Sequence, residues 1–238
     1  MKAKLVLTTT LLAGSLLAAD STPKQDITKA AKQLAAKANY SWTTTVVVPE
    51  GSRFRPGPTE GKAEKDGFAL IKMSIGDTPI QAAFKGEKSA IYDADNGWTA
   101  LGDLDAAETR GRIARAILLG FKAPAAQAAD LAAGAKELKR DGDVCSGELT
   151  EEAVKPLLTF GRRGGADAPT VADAKGSVKF WTKDGELAKY EYKSSGKVTF
   201  NGNERDMERT TTVEIKEAGS TKVDVPEEAK KKLEATAK

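Results

Sequence analysis

With no histidine in the chain and a single cysteine, Cys145, the side chains left to do chemistry are carboxylates, tyrosines, lysines and arginines. Ser-His-Asp and Cys-His catalysis and the common zinc boxes are excluded. No G-x-S-x-G, P-loop or G-x-G-x-x-G pattern is present. Asp93-Ala94-Asp95-Asn96-Gly97 has the alternating oxygens of half a calcium loop but no acid at the twelfth position, and Asn96-Gly97 is sufficiently explained as a hairpin turn. The pairs Asp103/Asp105 and Glu151/Glu152 have the chemistry for acid–base work on a sugar, but helix-start acids explain them more simply. Gly161–Gly165 lacks the strand-to-helix setting of a phosphate loop and reads as a linker. No convergent set emerges, so the sequence reads as a non-enzyme, with no metal and no cofactor.

Three further groups carry weight. Arg110 is the one charge on an otherwise apolar helical stripe: it binds an anionic headgroup, pairs with an acid inside a cavity, or sits at the rim and extends into water. Trp42, Trp98 and Trp181 are expected in the core, although Trp181 falls on the opposite strand face from Val178 and Phe180. Cys145 has no partner for an intramolecular disulfide and is expected buried and inert.

The segment before these groups fixes an expected compartment. Met1–Lys4 carries two lysines, Leu5–Leu17 is uncharged and mostly apolar, and Ala18-Ala19 are small. This is the layout of a secretory signal spanning residues 1–19, cut near Ala19 or after Ser15. The apolar run falls short of the roughly 20 residues that span hydrocarbon. No cysteine follows it for acyl modification. The expected product is a soluble exported protein without a transmembrane span, periplasmic or, in a single-membrane host, secreted. Removing Lys2 and Lys4 takes the formal charge from +3 to +1, which argues against nucleic acid as a partner.

The rest reads as elements around one core. Ile27, Ala31, Leu34, Ala35 and Ala38 recur at helical spacing behind Thr22-Pro23, which predicts an N-terminal amphipathic helix over Ser21–Ala38. Tyr40–Val48 alternates as a strand, and Arg53–Thr59 is a loop. Strands are expected at Phe68–Ile75, Thr78–Lys85, Lys88–Tyr92 and Trp98–Leu101, with turn residues between them. The period then changes to helical over Asp105–Phe121, with further helices at Pro124–Ala133 and Leu149–Phe160, and Gly161–Ala174 is a long loop. Strands return after Gly176, with Asp184-Gly185 and Asn201-Gly202 as hairpin turns. Val223 and Val225 suggest a last short strand, and Glu227–Lys238 a lysine-rich helix or tail. Helix, strands, helices, strands is an α+β layout: a sheet apolar on one face, with helices to cover it.

This arrangement resembles the LolA/LolB-like lipoprotein-sorting family and the LppX/LprG-like lipid carriers that share its architecture. The likeness rests on the N-terminal helix running into Tyr40-Ser41-Trp42, the Lys65-Asp66-Gly67 turn, and the Tyr92 to Trp98 hairpin. The helical insertion and the meander from Phe180-Trp181 through Val198–Asn201 to Thr211–Ile215 complete it. The resemblance implies a single domain over residues 20–238: a curved antiparallel half-barrel with a helical lid inserted at about 103–160. It implies a cavity holding a lipid or lipoprotein acyl chain, and a partner that delivers or accepts that cargo, such as a membrane-associated acceptor protein. The cavity would draw on Trp42, Val46, Ile71, Met73, Ile80, Phe84, Phe180, Tyr190 and Val213 from the sheet, and Ile113, Ile117, Leu118 and Phe121 from the lid, with Arg110 as headgroup candidate. The alternative is a regulatory, protein-interaction module on the same fold, as in RseB-like sensors, with the Arg162–Thr170 loop as partner surface.

Overall fold

In the computed structural model, residues 21–52, 56–75, 78–159 and 169–234 are described. The expected signal at 1–19, the greater part of the Arg162–Thr170 loop and the tail at 235–238 lie outside the described residues.

The first helix, α1 (Pro23–Ala36), starts where the sequence places it. Thr22 Oγ1 accepts from the Gln25 amide and Gln25 Oε1 accepts from the Thr22 amide, a reciprocal capping box with Pro23 in the first turn. Strands β1 (Asn39–Val47), β2 (Thr59–Glu64), β3 (Phe68–Ile75), β4 (Thr78–Lys85), β5 (Lys88–Asp93) and β6 (Gly97–Ala100) follow as a meander. After a 3-10 turn at Leu101–Asp103 come α2 (Thr109–Gly120) and α3 (Pro124–Gly134). The chain returns through β7 (Lys139–Asp141), β8 (Val144–Glu148), α4 (Glu151–Leu158), β9 (Thr170–Lys183), β10 (Glu186–Phe200) and β11 (Asn203–Lys216), and α5 (Glu227–Glu234) follows.

All eleven strands form one antiparallel sheet in the order β6-β5-β4-β3-β2-β1-β11-β10-β9-β8-β7. Its edges, β6 and β7, do not pair, so the sheet is an open half-barrel. Each strand neighbours its sequence neighbour except at the centre, where β1 pairs with β11 from Ser41↔Lys216 to Val47↔Thr210. Asp184-Gly185 and Asn201-Gly202 each make a two-residue hairpin with both residues at positive φ, the backbone twist that a tight antiparallel turn requires.

Helices α1 and α4 lie on β9 and β10, α3 packs on α1 and α4, and α2 reaches β5. The alanines Ala30, Ala31, Ala125, Ala128 and Ala132 are buried here and let α1 and α3 approach closely. Lys24 Nζ on α1 donates to the Ala133 and Ala135 carbonyls at 2.8 and 3.1 Å, satisfying the C-terminal end of α3. The other sheet face has its own cover. On it Leu70, Ala83, Ala90 and Trp98 are buried together with Val225, Ala229 and Leu233, as α5 lies across β4, β5 and β6.

Several sequence expectations are corrected. Thr59–Glu64 is a strand although its composition is small and charged, because β1 and β3 pair on both sides of it. Lys139–Glu148, within the helical insertion expected at about 103–160, is a hairpin turned at Gly142. Strand β9 starts at Thr170, inside the expected loop. Strand β10 runs unbroken through Ser194-Ser195-Gly196, with β9 and β11 pairing on either side, the β9 register shifting between Ser195 and Lys197. Val223 and Val225 form no strand and anchor the approach to α5 instead. Helix α2 begins at Thr109 with Glu108 as N-cap, not at Asp103 or Asp105.

The outer cover gives a direct check. Leu233 is 1 % exposed against the Trp98 layer, so Leu233→Ala should cost about 2–5 kcal/mol in a urea titration. Tryptophan emission should shift to the red as water reaches Trp98.

Candidate functional site

The inward face of the sheet is read from its registers. Trp42 on β1 faces Gly61 on β2, Gly61 faces Ile71 on β3, and Ile71 faces Ala82 on β4, so these four lie in one row on one face. The next row runs Tyr40, Ala63, Ala69 and Phe84. A Cβ on Gly61 would collide with the six-membered ring of Trp42, so the indole lies directly over the glycine. Phe121, just beyond α2, inserts above these rows. Its ring stacks on Phe84 at a centroid distance of 4.0 Å and on Trp42 at 6.3 Å, and Tyr40 tilts against Trp42 at 5.6 Å.

The second half of the inward face is aromatic too. Tyr190 faces Phe180 on β9 and Val213 on β11, and all three are at most 1 % exposed. Its hydroxyl donates to Gln127 Oε1 of α3 at 2.7 Å, while Gln127 Nε2 donates to Tyr192 Oη at 3.4 Å. This bridge is a polar link between α3 and the sheet, and nothing in the helical periodicity of an alanine-rich segment pointed to it. Burial pushes the Tyr190 phenol well above its ordinary range, with the neighbouring Tyr192 and Tyr40 adding to the effect. Burial also raises Tyr40, partly offset by a hydrogen bond with the Ala125 backbone.

Of the thirteen expected lining residues, Trp42, Ile71, Phe84, Leu118, Phe180, Tyr190 and Val213 are buried in one core, with Ile80, Ile117 and Phe121 packed against it. Val46 and Met73 are half-buried farther along the inward face, Met73 opposite Ile80. Ile113 is not brought in: it is 45 % exposed, because α2 buries Gly111, Ala114 and Leu118 instead. Arg110 is also outside. It is exposed and donates to Asp95 Oδ2 at 2.5 Å, an ion pair at the surface rather than in a cavity.

The other marked groups find ordinary places. Asp93 Oδ1 accepts from the Asp95 and Asn96 amides at 2.9 and 2.8 Å, so the β5–β6 turn uses the oxygen that a calcium loop would offer. Burial pushes the Asp93 carboxyl up, but its bonds from Asn96 and Asp95, with Arg110 nearby, hold it below its usual value. Cys145 is fully buried against Phe180, and desolvation raises its thiol. Trp181 lies on the outer face with Lys189 Nζ 4.8 Å from its ring. Among the described residues no group of acids and cysteine is placed to hold a metal ion, and no helix is long and apolar enough to cross a membrane.

At the far end of β11, beyond the last residue of β1, two open depressions adjoin. One, of about 390 Å³, is lined by Pro49, Ser195, Gly196, Asp206, Met207 and Glu208; the other, of about 260 Å³, involves Val47, Val48, Pro49, Glu208, Arg209 and Thr210. Burial lowers the Arg209 guanidinium, and Tyr192 offsets part of that.

No family model matches the sequence, and no curated protein matches it. Among solved structures the chain is similar to LprF from Mycobacterium bovis, with 11 % identity over 87 % of this chain and 96 % of that one at a TM-score of 0.46. It is also similar to the Mycobacterium tuberculosis lipoprotein LppX, with 10 % identity over 85 % and 97 % at a TM-score of 0.44.

Two outcomes test this geometry. Gly61→Ala should destabilise the fold by about 1–3 kcal/mol in chemical denaturation, since the indole above it must move. The raised tyrosines should make the protein lose stability as pH climbs past about 10, where the unfolded chain ionises first. Below that pH their contribution is fully present. The urea midpoint should therefore fall in alkali, and fall less steeply in Tyr190→Phe.

Proposed function

We propose that the protein is a non-enzymatic carrier for a lipid or a lipoprotein acyl chain, exported to the periplasm or secreted, and that the chain lies between the inward sheet face and α2. The observation that carries this reading is the seating of Phe121. It is a side chain from a connecting segment, stacked on Phe84 and lying beside Trp42 on an apolar sheet face. The same face continues as half-buried Ile80, Met73 and Val46, none of them charged.

Helix α2 is a fitting lid. It lacks a side-chain cap at its N-terminus and buries only Gly111, Ala114 and Leu118. Each methylene of a cargo chain laid on the sheet would contribute about 0.8 kcal/mol, so a few of them match what Leu118 and Phe121 gain by packing there. Lifting α2 with Phe121 and replacing them with an acyl chain exchanges one apolar contact for another. Delivery then requires only that the acceptor hold the chain better than this face does when α2 returns. The site residues of this reading are Trp42, Ile71, Met73, Ile80 and Phe84 on the sheet, with Ile117, Leu118 and Phe121 above them.

Native mass spectrometry with lipid extraction, on the protein isolated from the envelope of cells that make it, tests the proposal. The expected result is a co-purifying acyl species that is lost in Leu118→Arg. An unladen mass that gains nothing when fatty acids or phospholipids are added would overturn it.

A further inference from the structure

Helix α2 presents an unusual face to solvent. Four large apolar side chains stand out as exposed in the described residues, and two of them, Ile113 at 45 % and Leu119 at 55 %, lie on this one helix of twelve residues. Ile113, Ala116 and Leu119 are spaced three apart and so are neighbours along its surface, while Gly111, Ala114 and Leu118 point to the protein. The outward face thus carries Ile113, Ala116 and Leu119 with Arg112 between them, more apolar than a surface helix ordinarily is.

Its borders are cationic. From Thr109 to Lys122 the chain carries Arg110, Arg112, Arg115 and Lys122 and no acid. Arg110 is paired with Asp95, and Lys122 with Asp130. Arg112 and Arg115 have neutral partners. Arg112 donates to the Ala107 carbonyl at 2.8 Å and to Thr109 Oγ1 at 2.9 Å, and Arg115 to the Leu101 carbonyl at 3.0 Å. Among the described residues neither forms an ion pair within hydrogen-bonding reach, and Arg112 stands next to Ile113 in the helix.

We infer that α2 is a docking helix for an anionic lipid surface. An outward face that combines Ile113 and Leu119 with Arg112, and has Arg115 beside it, matches the headgroup–acyl boundary, where the apolar side chains enter the apolar layer and the guanidiniums meet lipid phosphates. The whole helix is about 18 Å long and can lie flat in that layer. The inference goes beyond the carrier reading and does not rest on it, since the surface is present whether or not the sheet holds a cargo.

The test is co-sedimentation with vesicles of phosphatidylcholine alone and of phosphatidylcholine mixed with phosphatidylglycerol. It uses the chain from Asp20 onward, which carries every element described and lacks the apolar run Leu5–Leu17 that would itself enter lipid. Binding is expected to the mixed vesicles, to weaken as salt rises, and to fall roughly tenfold or more in Arg112→Glu. Ile113→Asp and Leu119→Asp should each abolish it while leaving the thermal transition in place, since both side chains already face water. Absence of binding to the anionic vesicles, or equal binding by the variants and the parent chain, would overturn the inference, the former leaving the face to a protein partner. Acyl cargo measured on the same variants separates the two proposals: loss of vesicle binding with cargo retained supports the docking role alone.

Discussion

The seven-residue ladder between β1 and β11 is the constraint on which the rest depends. Each half of the chain makes its own meander, β1 to β6 in the first and β7 to β11 in the second. Joining them at Ser41–Val47 and Thr210–Lys216 turns two small sheets into one, with a continuous inward face. It also brings the Trp42 row alongside the Tyr190 row, so one set of helices covers both. Shifting this ladder by one residue would turn Trp42 and Val213 to the outside. Register here is held by burial rather than by any local turn, since no hairpin connects the two strands.

The helical cover is built in two grades. Helices α1 and α3 meet through alanines, capped by Lys24 and bridged to the sheet by Gln127, and this part is dense and polar-satisfied. Helix α2 is held by small side chains and by Phe121 beyond its end. A rigid wall beside a lightly fixed lid is the division of labour that reversible uptake asks of a binding protein, because only the lid's contacts need to be exchanged. On the two proposals made above, the element that moves is also the element that faces a partner surface.

Much of this was legible from residue patterns, and the exceptions are instructive. Thr22-Pro23 placed the first helix, and Asp184-Gly185 and Asn201-Gly202 placed two hairpins, because caps and tight turns are local chemistry. Seven of the thirteen expected lining residues are in the main core, since alternation along a strand assigns the face without further information. The misses came where partners decide. Strand β2 and the β7–β8 hairpin have polar or small residues and exist because flanking strands pair with them. Ser194-Ser195-Gly196 has turn-like composition but is a middle stretch of a long strand, because β9 and β11 pair on either side. On α2 the helical stripe was read as running through Ile113, whereas the helix buries its glycine and alanine side, a rotation that only packing fixes. The outer cover by α5 was not legible at all, because the sheet's second apolar face was not sought.

The central ladder has a consequence for how the molecule is made. Ser41 meets Lys216 across 175 residues of chain. At a synthesis rate of about 5–20 residues per second, β1 waits on the order of 10 to 35 s for its second neighbour to emerge. During that interval an aromatic strand has one open edge, and the first meander cannot lock. The closing strand is made after every other strand of the described residues, so the sheet is completed late. A chain that stays unfinished until its final strand is also one that can still be threaded through a narrow opening.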